Sequence, residues 1–259
     1  MRIRQLGSVL GTAESRQHLT TFLVNEAIAF DAGSLGLLAP LAQQRRVKRV
    51  FLSHSHIDHL ATLPVFLDNV FQSGGECPAI YASRDVWDCL NDDVLNERLW
   101  PNLNRIATGE SRFYTAAELE SEVPVTADGL TITPVSVNHT VPTHGFLIED
   151  ERAAAVIASD TGPTERLWEL ARRPRFRQKL RVVFLECSFP SSYAWLADES
   201  RHLCPSLFAA EIAKLSPDGS FQTVAVHLKA ALDEAIRAEL ETLALPNFVI
   251  GGQDQTWDV

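Results

Sequence analysis

Apolar positions along this chain keep two rhythms. Short runs that alternate or stay apolar for a few residues read as strands. In the first third these are "MRIRQLGSV" (1–9), "TTFLVNEAIAFDAG" (20–33), "VKRVFLSH" (47–54) and "PAIYAS" (78–83). Longer stretches with apolar residues three and four apart read as helices. Three such stretches are "SLGLLAPLAQQR" (34–45), "LATLPVFLDNVFQSGG" (60–75) and "RDVWDCLNDDVLNERLW" (84–100). Pro64 sits in the early turns of the second, and Gly74 and Gly75 suit its end. The second half repeats the style. "LTITPVSVNHT", "HGFLIED", "AAAVIASD", "LRVVFLECSF", "FQTVAVHLKA" and "NFVIGGQ" read as strands, the last of them closing the pattern. "TERLWELARR", "PSLFAAEIAKL" and "ALDEAIRAELETL" read as helices. This layout predicts an α/β chain of two stacked sheets with helices outside, folded as one domain over residues 1–259.

Composition narrows the classes. Of 259 residues, 46% are hydrophobic and 22% charged, the balance of a globular protein with a sizeable core. The net charge of −10 disfavours a broad electrostatic grip on nucleic acid, which needs clustered Lys and Arg, so no nucleic-acid partner is expected. An anionic substrate stays open, because a bound metal ion dominates its local field. No apolar run is long enough to span a membrane, and no signal peptide is read at the start. Cys77, Cys89, Cys187 and Cys204 form no CxxC pair and read as small buried hydrophobes. A cytoplasmic protein is the expectation.

The chemistry concentrates in "FLSHSHIDHL" (51–60), which holds three of the eight histidines directly after an apolar run. His54 and His56 are two apart, so in extended chain both imidazoles point the same way and reach one metal. Asp58 and His59 follow around the next bend and can face a second metal. A polar turn with its histidines in water is the plain alternative. A metal site needs further ligands, and strand ends are where a sheet converges side chains. His139 follows "TITPVSVN", Asp160 follows "AAAVIAS" and His227 follows "QTVAV". Each alone reads as a turn residue; together, after an HxHxDH cluster, they read as a ligand set.

HxHxDH followed by a distant His, Asp and His resembles the metallo-β-lactamase superfamily over nearly the whole chain. That resemblance implies an αββα four-layer sandwich, two mixed β-sheets flanked by helices, with two metals at one edge. It implies that His54, His56 and His139 hold the first metal, that Asp58, His59 and His227 hold the second, and that Asp160 bridges them. "DAG" at Asp31 to Gly33 matches an early turn whose Asp supports the site without being a ligand. "HSHIDHLATLPVFLDNVF", "SVNHT", "ASDTGPTERLWE", "FLECSFP" and "SRHLCPSLFAAEIAKL" are together similar to the class II cyclic nucleotide phosphodiesterases. Cys204 stands where that family has Thr. The resemblance implies hydrolysis of a 3′,5′-cyclic nucleotide to the 5′-nucleotide by a metal-bridging hydroxide, with Asp58, Asp160 and His202 as catalytic residues. It implies two divalent ions, zinc first, with iron or manganese compatible with a mixed N/O site, a small-molecule cyclic nucleotide as partner, and a homodimer. A ribonuclease Z-like phosphodiesterase and a non-catalytic metal-binding scaffold are the alternatives.

Other residues stay open. His202 reads as a phosphate contact or proton donor, or as an exposed loop histidine. His144 reads as a strand-edge residue or a pocket contact. Thr161 and Asn138 could orient ligands or simply turn the chain. Glu186 could support the site or make a buried ion pair. Ser53 and Ser55 read as structural, His18 as a loop residue, and Trp100 as packing under a loop or stacking on a base.

Overall fold

A computed structural model describes residues 1–8, 18–109, 111–216 and 218–259; Val9, at the end of the first predicted strand, lies outside them. The strands in chain order are β1 (Arg2–Gln5), β2 (Phe22–Val24), β3 (Ile28–Phe30), β4 (Arg49–Phe51), β5 (Ala79–Ala82), β6 (Thr115–Glu118), β7 (Val125–Ala127), β8 (Leu130–Val137), β9 (Thr143–Glu149), β10 (Ala154–Ile157), β11 (Leu180–Glu186), β12 (Gln222–Val226), β13 (Phe248–Ile250) and β14 (Thr256–Asp258). The helices are α1 (Leu41–Gln44), α2 (Ile57–Leu60), α3 (Leu63–Val70), α4 (Arg84–Cys89), α5 (Leu103–Ile106), α6 (Arg166–Ala171), α7 (Pro174–Lys179), α8 (Ala194–Glu199), α9 (Pro205–Ala213) and α10 (Asp233–Leu240). Among the described residues, no helix is long and apolar enough to cross a membrane.

Among the described residues the strands form two seven-stranded sheets, ordered β14-β1-β2-β3-β4-β5-β6 and β13-β12-β11-β10-β9-β8-β7. Each is mixed. In the first, β3 to β6 run parallel. In the second, β10 to β13 run parallel, and β8 shares their direction because β9 is antiparallel to both β8 and β10. The sheets meet through aromatic side chains. Phe22 packs on Phe184 with ring centroids 4.9 Å apart, and Phe30 on Phe146 at 5.0 Å. All four are at most 2% exposed, and each contributes roughly 1.5–3 kcal/mol through burial. The outer face of the first sheet buries Leu63, Phe66 and Leu67 of α3. That of the second buries Trp168 of α6, Phe208 of α9 and Ile236 of α10.

Several predicted elements come out broken, each for a local reason. "TTFLVNEAIAFDAG" folds as the hairpin β2–β3, turning at Asn25 and Glu26, which both take positive φ. The helix predicted over 34–45 is a single tight turn at Leu35–Leu37 and then α1. Pro40 between them lacks an N–H and disfavours helical Ala39. The Gln44 side-chain amide donates to the carbonyls of Gly36 and Leu38 that the break leaves over. The histidine loop winds into its own turn, α2, before α3 starts. α3 stops at Val70 and not at Gly74, because Phe71 turns out to stack on Phe113 at 4.2 Å. α4 loosens into a wider turn over Leu90–Val94, and the chain leaves the helix at Leu95. β6, β7, β14, α5, α7 and α8 carry no legible period. β6, "TAAE", is an exposed edge strand, and the pattern closes on β14, not on 247–253.

Two backbone crossings set up the site. The Ala32 N–H donates to His59 O at 2.7 Å and the Thr20 N–H to Asp58 O at 2.9 Å, pinning the Asp31–Gly33 turn onto α2. The His144 N–H donates to Ser53 O at 3.0 Å, joining the two sheets at the same edge. A Cβ on Gly33 would lie 2.0 Å from Asp58 O and 2.8 Å from Thr20 N, so only glycine admits this approach. Gly33→Ala is expected to cost on the order of 1–3 kcal/mol, seen as a fall of several degrees in Tm with reduced metal content. An unchanged melting curve would contradict this close packing.

Candidate metal centre

Parallel strands deliver their C-terminal ends to one edge of the sandwich. Asp31 follows β3, Ser53 and His54 follow β4, His139 follows β8, Asp160 follows β10, Glu186 ends β11 and His227 follows β12. Loops at those ends therefore converge although the residues span almost 200 positions.

Asp160 is the hub. It is 2% exposed, and its Oδ1 lies 3.3 Å from His59 Nε2. Its Oδ2 lies 3.8 Å from His54 Nε2 and 3.5 Å from His227 Nε2. His56 Nδ1 and His139 Nε2 face each other at 3.1 Å. Asp58 Oδ2 is 3.1 Å from His227 Nε2. The donor atoms of His54, His56, His139 and Asp160 all lie within 4.8 Å of one another, and so do those of Asp58, His59, Asp160 and His227. Two four-donor groups thus share one carboxylate.

Four of the five imidazoles, those of His54, His59, His139 and His227, are oriented from behind. Asp31 accepts the Ser53 N–H at 2.8 Å, the Ser53 hydroxyl at 2.9 Å and the His59 Nδ1–H at 2.6 Å. The Ser53 oxygen then accepts the His54 Nδ1–H at 2.8 Å. One carboxylate, directly or through a serine, therefore turns the Nε2 atoms of His54 and His59 inward. The opposite sheet repeats the device. Glu186 accepts the Ser188 hydroxyl at 2.8 Å and sits 2.5 Å from His202 Nδ1. Ser188 Oγ accepts the His227 Nδ1–H at 3.0 Å. Glu186 also takes the backbone N–H of Thr161 at 3.1 Å, tying the Asp160 loop to the same anchor. His139 donates its Nδ1–H to Arg201 O at 3.1 Å, while the Arg201 guanidinium donates to His139 O at 2.7 Å.

Backbone strain clusters here. Asp31, Ser159, Arg201 and His227 all take positive φ, between 51 and 61°. Left-handed conformation costs such residues about 1 kcal/mol or more each, and surrounding contacts must hold them there.

The electrostatics suit cations. Burial, reinforced by the neighbouring His59, holds His54 well below the ordinary imidazole range. Burial also lowers His56 and His139, so these three present lone pairs at neutral pH. His59 goes the other way. Burial opposes its charge, but Asp160 and Asp31 outweigh that and raise it well above the usual value. Burial likewise resists ionisation of Asp160, yet His227 and His59 hold its carboxyl well below the normal range. Two imidazole nitrogens, His54 Nε2 and His59 Nε2, are buried without a hydrogen-bond partner among the described residues. Orphaned buried nitrogens beside an ionised carboxylate are what a divalent ion satisfies, by taking the place of protons. The donor set, imidazole nitrogen and carboxylate oxygen at tetrahedral-site numbers, fits such an ion.

A family model described as a beta-lactamase superfamily domain matches residues 21–228, which contain all seven converging side chains. The chain belongs to the beta-lactamase superfamily. Its two mixed sheets with helices on both outer faces are the αββα sandwich of the metallo-β-lactamase fold. A superfamily relative named "Probable 3',5'-cyclic-nucleotide phosphodiesterase", from Yersinia pestis, is 25% identical over 206 residues, 72% of this chain and 57% of that protein. Ribonuclease Z from Latilactobacillus sakei is 33% identical over 94 residues, 32% of this chain and 30% of its own length. The chain thus spans only part of the curated relatives it matches. Among solved superfamily structures, unliganded yeast PDE1 superposes with a TM-score of 0.78 at 17% identity, covering 98% of both chains.

The remaining sequence expectations separate clearly. His202 is 6% exposed and held by Glu186, so it is no exposed loop histidine. Its ring centroid lies 4.9 Å from that of His139 and 5.8 Å from that of His227. His144 is not at a strand edge. β9 lies between β8 and β10, His144 is 7% exposed, and its Nδ1 is buried without a partner among the described residues. Asn138 turns the chain, its side chain donating to Pro163 O at 3.2 Å. Glu186 anchors histidine, hydroxyl and backbone groups together. Trp100 packs against the core and also lines an apolar hollow of about 300 Å³ with Ile57 and Leu60 of α2. His18 lines the mouth of the site beside Asp58. Cys187 and Cys204 are buried, while Cys77 and Cys89 are only half-buried. The relay role of Ser188 was missed. Its one sequence signal is the E-x-S spacing at the end of a buried strand.

Proposed function

We propose that this chain is a binuclear metal-dependent phosphodiesterase acting on 3′,5′-cyclic nucleotides as one domain. The observation that carries it is the pair of four-donor groups sharing Asp160. His54, His56 and His139 would hold one divalent ion, Asp58, His59 and His227 the other, with Asp160 between them. Zinc suits the imidazole-rich set, and iron or manganese is compatible. Bound there, such ions supply charge neutralisation of a phosphodiester and a nucleophile at neutral pH.

The chain's own residues do the rest. Asp31–Ser53 holds His54 and His59, and Glu186–Ser188 holds His227, with Nδ1 engaged and Nε2 turned inward. His202 is the proton donor to the departing ribose oxygen. Burial opposes its charge, but Glu186 outweighs burial and raises it above the ordinary imidazole value, the direction a proton donor needs. Glu186 engages Nδ1, which leaves Nε2 as the nitrogen free to donate. The Yersinia relative's name supports the cyclic nucleotide as substrate. The stretch similar to ribonuclease Z supports the second reading, an RNA phosphodiester, against which stands the net charge of −10.

The deciding experiment measures metal content together with hydrolysis of cAMP, cGMP and a tRNA precursor, before and after chelation. About two ions per chain, turnover of a cyclic nucleotide to its 5′-nucleotide, abolition by chelator and recovery on zinc addition are expected. Cleavage of the tRNA precursor alone would transfer the site to the second reading. Full metal loading with no hydrolysis of either would leave a binding scaffold.

A further inference from the structure

Beside Asp58 and His227 the site opens into a hollow of about 170 Å³ that is also lined by His18, Thr20, Lys229 and Ala230. Lys229 differs from the other lysines of the chain, which are Lys48, Lys179 and Lys214. Lys48 pairs with Glu76, Lys179 with Glu149, and Lys214 with Glu165 and Glu211. The Lys229 ammonium has no ion pair or hydrogen bond among the described residues, although Asp58 faces the same hollow. Its backbone is tied down. The N–H donates to Ser188 O at 3.4 Å, and the carbonyl accepts from Leu232 N at 2.8 Å. It stands two residues after His227, at the mouth of the site.

An ammonium with no partner among the described residues is available to an anion in a chain of net charge −10. An anion approaching this surface meets general repulsion and needs a local positive potential at the entrance. We infer that Lys229 is a substrate-binding residue whose ammonium takes a non-bridging oxygen of an anionic phosphate ester at the Asp58–His227 side of the site. A compact ammonium with three donors on a flexible stem suits a phosphoryl oxygen. The inference rests on the phosphodiesterase reading for its substrate class, so its test includes a probe independent of turnover.

Metal-loaded wild type, Lys229→Gln and Lys229→Arg are titrated with inorganic phosphate by calorimetry, with metal content measured on each sample. Phosphate binding about tenfold or more weaker in Lys229→Gln is expected, with metal content unchanged and affinity largely restored in Lys229→Arg. The gap should narrow as ionic strength rises. With a cyclic nucleotide, the rise in KM should exceed any fall in kcat. Equal phosphate affinity in wild type and Lys229→Gln, or no phosphate binding by loaded wild type, would overturn the inference. Weakened phosphate binding in a protein that turns over no cyclic nucleotide would uphold Lys229 and remove the proposed substrate instead.

Discussion

Asp160→Ala is expected to lower phosphodiester hydrolysis by about three orders of magnitude or more, several kcal/mol of lost transition-state stabilisation, and to reduce bound metal from two ions to one or none. The reason is geometric. Three imidazole nitrogens, from His54, His59 and His227, lie within 3.8 Å of this one carboxylate. Removing it deprives both four-donor groups of their shared member and leaves His54 and His59 crowded, 4.1 Å apart between ring centroids, with no anion between them. Asp160→Asn separates charge from shape. It keeps one carbonyl acceptor and the packing, so its fold should survive while metal retention falls. Metal analysis and hydrolysis of a cyclic nucleotide read both effects, with circular dichroism reporting the fold. An Asp160→Ala protein that retains two ions and near wild-type turnover would remove the basis for a binuclear centre.

The second large effect lies behind the site. Asp31 is 4% exposed and accepts three hydrogen bonds, two from Ser53 and one from His59. Asp31→Ala leaves the Ser53 N–H and His59 Nδ1–H buried without an acceptor. It also frees the Ser53 hydroxyl that orients His54, and it places alanine at φ 61°. The expected loss is about 3 kcal/mol or more of stability in chelated protein, as for one member of a buried charged pair. Metal affinity should weaken by at least about 10–100-fold, the usual consequence of losing a group that orients a ligand. Denaturant unfolding and competition with a chromophoric chelator measure the two losses separately. Asp31→Asn keeps an acceptor for the Ser53 N–H and tolerates the left-handed conformation, so it should lose less. Unchanged stability in Asp31→Ala would mean that the carboxylate does not hold this corner together.

Legibility varied with how local the physics was. HxHxDH is readable because His54 and His56 need only their spacing in extended chain to point together. His139, Asp160 and His227 are readable as polar residues that stop apolar strands. Glu186 left two readings open, since a buried carboxylate at a strand end could as well meet a cation as a histidine. Ser188 gave only its E-x-S spacing, and Arg201 gave no usable signal. One works through a hydroxyl that any loop serine has, the other largely through its carbonyl oxygen, which carries no side-chain identity. Helix limits failed where tertiary partners overrode periodicity, as when Phe71 left its helix to stack on Phe113.

Alternation and turn residues were enough, from sequence alone, to specify two stacked sheets with helices outside and to name the polar residues at the strand ends, and HxHxDH with its distant partners carried the resemblance to this superfamily. Which of those residues meet was decided only in three dimensions. A ligand set is a statement about distances of a few ångströms, and those follow from strands of two sheets running in one direction to a common edge. The same is true of the lysine at the mouth. In the sequence Lys229 is one charge among many, and only the folded chain shows that the other lysines found partners and this one faces the site.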